Sequence, residues 1–190
     1  MASCRKCRDS NMRIISGTAR GRRLREPAGL DIRPTSDLVK ESVFNIIQFD
    51  IEGRRVLDLF AGSGQLGLEA LSRGAKSVVF IDSMPASVKL IWENIKRCGF
   101  SDSAAVYNRD AIKYLTGEGS FDLIFIDPPY DTPLAGKALK QIIEFDKLNT
   151  NGIIICETRA DSATPAVSPP YFMQKEYRYG RVKITRYVRE

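Results

Sequence analysis

From residue 55 onward, short apolar segments alternate with amphipathic segments, and this alternation limits the fold more than any other feature. The apolar segments predict strands at 55–60, 77–82, 104–107, 121–127 and 152–157. The amphipathic segments predict helices at 65–73, 85–98, 110–115 and 134–145. Apolar strands that alternate with helices form a parallel sheet with helices on both faces. Residues 171–189 predict a closing β-hairpin about Gly180.

The region before this alternation predicts three segments. Residues 1–12 are polar and predict a disordered tail, and residues 13–34 predict a basic N-terminal arm that begins as a hairpin. Residues 35–190 form the remaining domain, whose first helix runs from Ser36 to about Phe49. The candidate nucleic-acid contacts of the arm are Arg13, Arg20, Arg22, Arg23, Arg25 and Arg33.

Positive charge is concentrated at both ends of the chain. Residues 1–26 hold eight Lys or Arg and two acidic residues, a net charge of +6. Residues 175–190 hold six Lys or Arg and two acidic residues, a net charge of +4. Basic ends on a chain of this composition indicate a polyanionic partner, most often nucleic acid. A merely solvated basic surface is the alternative.

The residue types exclude several classes of protein. Histidine is absent, which excludes Ser-His-Asp and Cys-His catalysis and His-ligated metals. The apolar runs are too short to span a bilayer and the N-terminus lacks the apolar region of a secretory signal, so we expect a cytoplasmic protein. Cys4 and Cys7 have metal-ligand spacing, but no second pair completes a four-ligand site, and we expect no metal. An intermolecular zinc site, a redox pair and a reduced tail remain open for these two cysteines.

A glycine-rich segment after the first predicted strand indicates a cofactor site. Gly62, Gly64 and Gly67 match the spacing of a strand-to-helix turn whose backbone N–H groups approach a ligand closely. The next strand ends at Asp82, where a carboxylate can accept from two ribose hydroxyls. These features fit NAD and S-adenosylmethionine (AdoMet) equally. The candidate loop contacts are Phe60, Ala61, Gly62, Ser63 and Gly64.

Two further carboxylates favour AdoMet over NAD. Asp58 lies inside the first strand, where it can meet the ammonium group of a methionine moiety, and a pyrophosphate would gain nothing from it. Asp110 follows the third strand, beside Ala111, where it can accept from an adenine amino group.

The most specific motif is Asp127-Pro128-Pro129-Tyr130, at the end of the fourth predicted strand. Two prolines cannot continue a strand ladder and they restrain the backbone. The Pro128 carbonyl and the Asp127 carboxylate can together accept both protons of an exocyclic amine, which directs its lone pair at an electrophile. Tyr130 offers a ring on which the base can stack. We therefore interpret these four residues as catalytic.

This motif resembles that of amino-group methyltransferases acting on adenine N6 or guanine N2. From Arg13 to Arg189 the chain more specifically resembles the RsmD family of 16S rRNA guanine-N2 methyltransferases. The segments that support the resemblance are 13–17, 20–24, 33–37, Glu41 with 44–45, 60–70 and 127–130. The resemblance implies a Rossmann-like class I methyltransferase fold with a seven-stranded, mainly parallel sheet. It also implies AdoMet as methyl donor and guanine 966 (usual numbering) of 16S rRNA as target.

The departures from the family pattern are modest. Gln65 stands where the family commonly has Ala, and Leu38 replaces a usual Arg, which removes one candidate phosphate contact. Residues 83–85 replace a charged pair. We expect a monomer that acts on 16S rRNA or the small ribosomal subunit by direct methyl transfer. The sulfonium is already activated, so this transfer needs neither a nucleophilic residue nor a metal.

Three alternatives remain at this stage. A DNA adenine-N6 methyltransferase would need a target-recognition domain, for which no segment is long enough. A NAD-dependent reductase is suggested only by Tyr171-x-x-x-Lys175, which follows a proline-rich linker where no helix aligns the pair. A non-catalytic RNA-binding module would leave the carboxylates at three strand ends without a role.

Overall fold

Seven strands form one sheet in the computed structural model, which describes residues 12–26 and 37–190. The strands are β1 (Arg55–Asp58), β2 (Ser77–Asp82), β3 (Ala104–Asn108), β4 (Phe121–Ile126), β5 (Leu148–Arg159), β6 (Tyr171–Tyr179) and β7 (Val182–Arg189). The helices are α1 (Asp37–Ile46), α2 (Gln65–Ser72), α3 (Pro85–Cys98), α4 (Ala111–Tyr114) and α5 (Leu134–Glu144).

The strand order is β3-β2-β1-β4-β5-β7-β6. Strands β1 to β5 are parallel, and β7 pairs antiparallel with both β5 and β6. This topology confirms the predicted Rossmann-like class I methyltransferase fold, with its mainly parallel sheet and its closing hairpin.

The two faces of the sheet bury separate hydrophobic cores. Val56 and Leu123 pack in a first core together with side chains of α1, α2 and α3. Leu57 and Ile124, one residue further along the same strands, pack in a second core with α4 and α5. Because both faces are covered, the central strands are apolar at consecutive positions, which explains the uninterrupted runs in the sequence.

Several element boundaries differ from the prediction. Strand β1 ends at Asp58 rather than at residue 60, because the chain turns there into the glycine-rich loop. Helix α1 ends at Ile46, and a turn follows it. Strand β5 begins at Leu148, four residues earlier than predicted, and a register shift separates its start from the apolar run. The start of β5 was not predicted because residues 149–151 are polar and interrupt the apolar pattern of the strand.

The basic N-terminal segment forms a hairpin whose apolar side is part of the first core. Arg13 and Arg23 form an antiparallel bridge. Ile14 and Leu24 are each 1 % exposed and pack with α2 and α3, and Met12 is also buried. Residues 13–26 are therefore an integral part of the folded body rather than a projecting arm, and residue 12, which we assigned to the tail, belongs with them.

A buried carboxylate joins this hairpin to α2. Glu69 accepts hydrogen bonds from the backbone N–H of Ile15 at 2.7 Å and of Ser16 at 3.0 Å, and from Arg73 Nε at 2.8 Å. Ser72 Oγ accepts from Ala19 N–H at 2.9 Å. The hairpin is thus fixed to the helix that follows the glycine-rich loop.

Residues 1–11 and 27–36 lie outside the described part of the chain. The predictions for Arg33, Ser36, Cys4 and Cys7 therefore have no structural outcome. Within residues 12–26 and 37–190, no helix is long and apolar enough to cross a membrane. The same residues contain no group of three or more Cys, Asp or Glu side chains that could hold a metal ion.

Candidate active site

The carboxyl ends of the parallel strands bring the predicted cofactor residues to one edge of the sheet. Asp58 ends β1, Asp82 ends β2, and Asp110 follows β3. In open α/β sheets, ligands bind in the crevice at this edge. The third strand is tied to the second there, because Asp82 O accepts from Arg109 N–H and from Asn108 Nδ2, both at 3.1 Å.

Asp82 organises the glycine-rich loop. Its Oδ2 accepts from Gly62 N–H at 2.9 Å and its Oδ1 accepts from Met84 N–H at 2.8 Å. Gly62 has a φ of 55° and Gly64 a φ of 79°, values that favour glycine, and a Cβ at Gly62 would meet only open space. A carboxylate has about four acceptor positions, so Asp82 retains capacity for two further donors.

Asp58 lies beneath the first turn of α2. It is 2 % exposed, and its Oδ2 accepts from Gly67 N–H at 2.9 Å. The pKa of Asp58 is raised to about 7: burial raises it most, the Gly67 hydrogen bond opposes this change, and the nearby Asp82 adds to it. None of these three causes is a cation, so a bound ammonium group would complement this carboxyl.

Gly67, the third glycine of the motif, serves the packing of the helix on the sheet. A Cβ at this position would overlap the ring of Phe80 on β2. The glycine spacing therefore combines a loop that a ligand can approach with close contact between α2 and β2.

Asp110 caps the helix that follows β3. Its Oδ1 accepts from Lys113 N–H at 2.9 Å, and its side chain is exposed at the edge of the sheet. Ala111 beside it is buried. Phe60 is half-buried and packs against the second core, at the start of the glycine-rich loop.

The Asp-Pro-Pro-Tyr motif directly follows β4, the strand next to β1. Asp127 is half-buried, Pro128 is buried, and Pro129 and Tyr130 are exposed. Tyr130 O–H donates a hydrogen bond to Glu157 Oε1. The two prolines, Tyr130 and Glu157 line part of a cavity of about 290 Å³. The last three residues of the motif thus form part of the wall of a cavity beyond the carboxyl ends of β4 and β5, whereas Asp127 and the predicted cofactor residues do not line it.

The sequence patterns assigned no role to three residues of this region: Glu69, Asn94 and Glu157. Asn94 is fully buried on α3; its Nδ2 donates to Ser63 O at 3.0 Å and to Arg25 O at 3.1 Å, and its Oδ1 accepts from Arg25 N–H at 2.7 Å. It connects the basic hairpin to the glycine-rich loop. Glu157 was detectable, because it lies near the end of an apolar strand, as Asp58 and Asp82 do. Glu69 lies in segment 60–70, which supports the family resemblance, but nothing in that segment indicated its contacts, and no local pattern indicated Asn94.

The five described arginines of the hairpin are all exposed. Two of them contact α3: Arg22 donates to Arg97 O at 2.8 Å, and Arg25 pairs with Glu93 at 2.7 Å. The backbone of the hairpin is fixed by Glu69, while its guanidinium groups remain on the surface. This arrangement presents positive charge on the face of the sheet that carries α2 and α3.

The pair that suggested a reductase does not form a catalytic unit. Tyr171 and Lys175 lie on strand β6, where Tyr171 is buried and Lys175 is exposed. Tyr171 O–H donates to Asp146 at 3.3 Å, away from Lys175.

Comparison with known proteins identifies the family. A family model described as conserved hypothetical protein 95 matches residues 12–188. The chain belongs to this family, which is the RsmD family. The relative named ribosomal RNA small subunit methyltransferase D from Haemophilus influenzae is 37 % identical over 163 residues, 83 % of either chain. The protein of that name from Escherichia coli K12 is 33 % identical over 180 residues, 94 % of this chain and 90 % of the relative.

Solved structures agree with this assignment. The Escherichia coli protein YhhF superposes with a TM-score of 0.86 at 32 % identity, covering 94 % of this chain and 98 % of that one. The protein SMU.776, solved in complex with SAH, shares the fold with a TM-score of 0.64 at 17 % identity, covering 78 % of this chain and 48 % of that one. As a member of the RsmD family, the protein is a methyltransferase, which removes the support for the reductase and the non-catalytic alternatives.

Proposed function

We propose that this RsmD-family protein transfers a methyl group from AdoMet to the exocyclic N2 amine of a guanine in 16S rRNA, guanine 966 by family resemblance. The observation that supports this most is the position of Asp127-Pro128-Pro129-Tyr130. The motif follows the strand next to β1, at the edge of the sheet where Asp58 and Asp82 end their strands, and its last three residues border a cavity. The relatives named small subunit methyltransferases point to the same class of RNA.

The residues at the sheet edge fit AdoMet. Asp82 has acceptor capacity for the two ribose hydroxyls, and the buried Asp58 lacks a cation that the ammonium group would supply. Asp110 is exposed and has a carboxylate oxygen for the adenine amine. Ala61, Gly62, Ser63 and Gly64 supply the loop. When bound, AdoMet supplies an electrophilic methyl group on a sulfonium centre.

The chain's own residues hold and polarise the amine. The Pro128 carbonyl, which belongs to a residue with no N–H, and the Asp127 carboxylate accept the two amine hydrogens. Those hydrogen bonds localise the lone pair on nitrogen and direct it out of the base plane. A neutral exocyclic amine is too weak an acid to lose its proton first, so Asp127 receives no proton before the attack, and one amine proton leaves the nitrogen after the methyl group has been transferred. Catalysis is positioning together with electrostatic preorganisation.

A direct assay tests this proposal. The protein is incubated with methyl-labelled AdoMet and one of three substrates: unmodified naked 16S rRNA, small subunits that contain it, or double-stranded DNA. We expect label in one of the RNA substrates and N2-methylguanosine on digestion and mass spectrometry. Label in DNA, or N6-methyladenosine as the product, would replace the proposal with the DNA adenine-N6 alternative.

Replacing Asp82 by alanine should weaken AdoMet binding. The ribose hydroxyls lose a charged acceptor, and each such hydrogen bond contributes about 1.5–3 kcal/mol, so the affinity should fall at least about tenfold. Isothermal calorimetry measures the change. Asp102→Ala, which removes an exposed carboxylate from the turn before β3, is the control and should leave the affinity unchanged. An unchanged affinity in the Asp82 variant would remove this residue from the ribose site.

The exposed hairpin arginines should contact rRNA phosphates. Deleting the hairpin is unsuitable as a test, because Ile14 and Leu24 belong to the core. The variant Arg13→Ala/Arg20→Ala keeps the backbone, and each lost phosphate contact should reduce the slope of log affinity against log salt by about 0.7–0.9. In RNA-binding titrations, we expect the salt dependence of this double variant to be weaker than that of the wild type by about two such phosphate contacts.

The matched control removes the same charge from the opposite face of the sheet. Lys137 and Lys140 are exposed on α5, which packs in the second core, whereas the hairpin packs in the first. Lys137→Ala/Lys140→Ala should leave the salt slope unchanged. Equal slopes for the two double variants would mean that the hairpin charge acts only through the net charge of the protein.

A further inference from the structure

Glu157 stands beside the catalytic motif at the carboxyl edge of the sheet. Strands β4 and β5 run parallel, and their last paired residues are Ile126 and Cys156. Asp127 directly follows the first of these and Glu157 directly follows the second. Residues at matching positions of parallel strands project from the same face. The sheet register therefore places the two carboxylates on the same side of neighbouring strands.

The surroundings of Glu157 are unusual for a carboxylate. Glu157 is only 5 % exposed, yet it lines the cavity next to Pro128, Pro129 and Tyr130. Tyr130 O–H donates to Oε1, and within the described residues no second group donates to this carboxylate. Burial raises the pKa of Glu157, and the Tyr130 hydrogen bond opposes that change. Burying a carboxylate with so few partners is costly, so a ligand that donates to it would gain from its presence.

Guanine and adenine differ in what they present beside the reacting amine. In guanine, the ring position next to the N2 amine is N1–H, a hydrogen-bond donor. In adenine, the ring position next to the N6 amine is N1 with a lone pair, an acceptor. A carboxylate beside the reacting amine attracts the N1–H donor of guanine and repels the N1 lone pair of adenine.

We propose that Glu157 is a specificity-determining residue, which accepts a hydrogen bond from guanine N1–H while Asp127 and Pro128 hold the N2 amine. This inference rests on the proposed function, because it assumes a guanine target. Tyr130 has two roles in it: its ring stacks on the base and its hydroxyl orients the Glu157 carboxylate. The sheet register supports this role, because it places the Glu157 carboxylate, a hydrogen-bond acceptor, on the strand beside the amine-binding motif.

The competing explanation is that Glu157 only positions the Tyr130 side chain through their hydrogen bond. The variant Glu157→Gln separates the two explanations, because the glutamine carbonyl still accepts from Tyr130 O–H. Its NH2 group, in contrast, is a donor, which opposes guanine N1–H and matches a ring nitrogen with a lone pair. The base analogue 2-aminopurine has the same exocyclic 2-amine as guanine and a lone pair at N1. The analogue also lacks O6, but that difference is the same for every protein variant.

The experiment compares two small-subunit substrates that differ at one nucleotide. One contains guanine at the nucleotide that the wild-type protein methylates, and the other contains 2-aminopurine there. We measure kcat/KM for both with the wild-type protein, Glu157→Gln and Glu157→Ala. A hydrogen bond to a charged group corresponds to a factor of at least about ten. The wild-type preference for guanine should therefore fall by at least about tenfold in both variants, and most in Glu157→Gln.

The outcomes separate this inference from the proposed function. If the wild-type protein makes no N2-methylguanosine, the proposed function fails. If it does so but accepts 2-aminopurine equally well, or if both variants keep the wild-type preference, the role of Glu157 is overturned. AdoMet affinity and melting temperature are measured for each variant and should stay close to wild type. If the variants lose the same activity on both substrates, Glu157 only positions Tyr130 through their hydrogen bond. This outcome would also overturn the inference.

Discussion

Asp127→Ala should abolish most methyl transfer while leaving AdoMet binding intact. The alanine removes one of the two acceptors that hold the amine, and losing a preorganised polar contact of this kind typically costs about 10²-fold or more in turnover. The proposed AdoMet contacts lie on β1, β2 and the loops that follow β1 and β3, so they remain in place. Single-turnover methyl transfer and calorimetric AdoMet affinity measure the two effects separately.

Two matched variants make this result interpretable. Asp127→Asn keeps an acceptor oxygen, and the related motif of amino methyltransferases uses Asp or Asn here, so it should retain more activity than the alanine variant. Asp161→Ala removes an exposed carboxylate that pairs with Arg159 at 3.0 Å, and should change neither quantity. Near-normal turnover in Asp127→Ala would show that Asp127 is only a turn residue.

The largest effect on stability is expected for Glu69→Ala. The carboxylate is fully buried and accepts from Ile15 N–H, Ser16 N–H and Arg73, so its removal leaves these donors without an acceptor. Breaking such a buried pair costs about 3–5 kcal/mol. For a protein of this size that corresponds to a melting temperature lower by roughly 6–20 °C. Differential scanning calorimetry measures the shift.

The matched control is an exposed ion pair of the same hairpin. Glu93 pairs with Arg25, whose side chain is 59 % exposed, and Glu93→Ala should cost at most about 1 kcal/mol. If Glu69→Ala melts within 2 °C of Glu93→Ala, the attachment of the hairpin to α2 does not stabilise the fold. Proteolysis of the Glu69 variant offers a second measurement, since a detached hairpin should be cut before the sheet.

The contacts of Asn94 give the hairpin a relation to the cofactor loop that its charge alone did not suggest. One amide side chain bonds both Arg25 and Ser63, which belong to the basic hairpin and to the glycine-rich loop. The surface that we expect to bind RNA and the loop that we expect to bind AdoMet are therefore supported by the same buried residue of α3.

Local sequence patterns predicted the main features of the fold. The apolar period predicted the parallel sheet, the glycine spacing predicted the loop at 62–64, and the two prolines predicted the end of β4. Asp58, Asp82 and Asp110 were predicted to lie together because strand ends in a parallel sheet share one edge, and the structure places them there, while their contacts to AdoMet stay a prediction. The predictions of the sheet, the loop and the strand end were confirmed because backbone geometry restricts which residues can occupy such positions, whatever the rest of the chain does.

Contacts between residues far apart in the chain were visible only in the folded protein. Glu69 contacts Ser16 across 53 positions of the chain, Asn94 contacts Arg25 across 69, and Tyr130 contacts Glu157 across 27. No period or motif encodes these pairs, since each depends on the orientation in which whole elements pack. For the same reason, the basic segment was predicted to be an arm. Its charges are visible in the sequence, but the burial of Ile14 and Leu24 depends on α2 and α3.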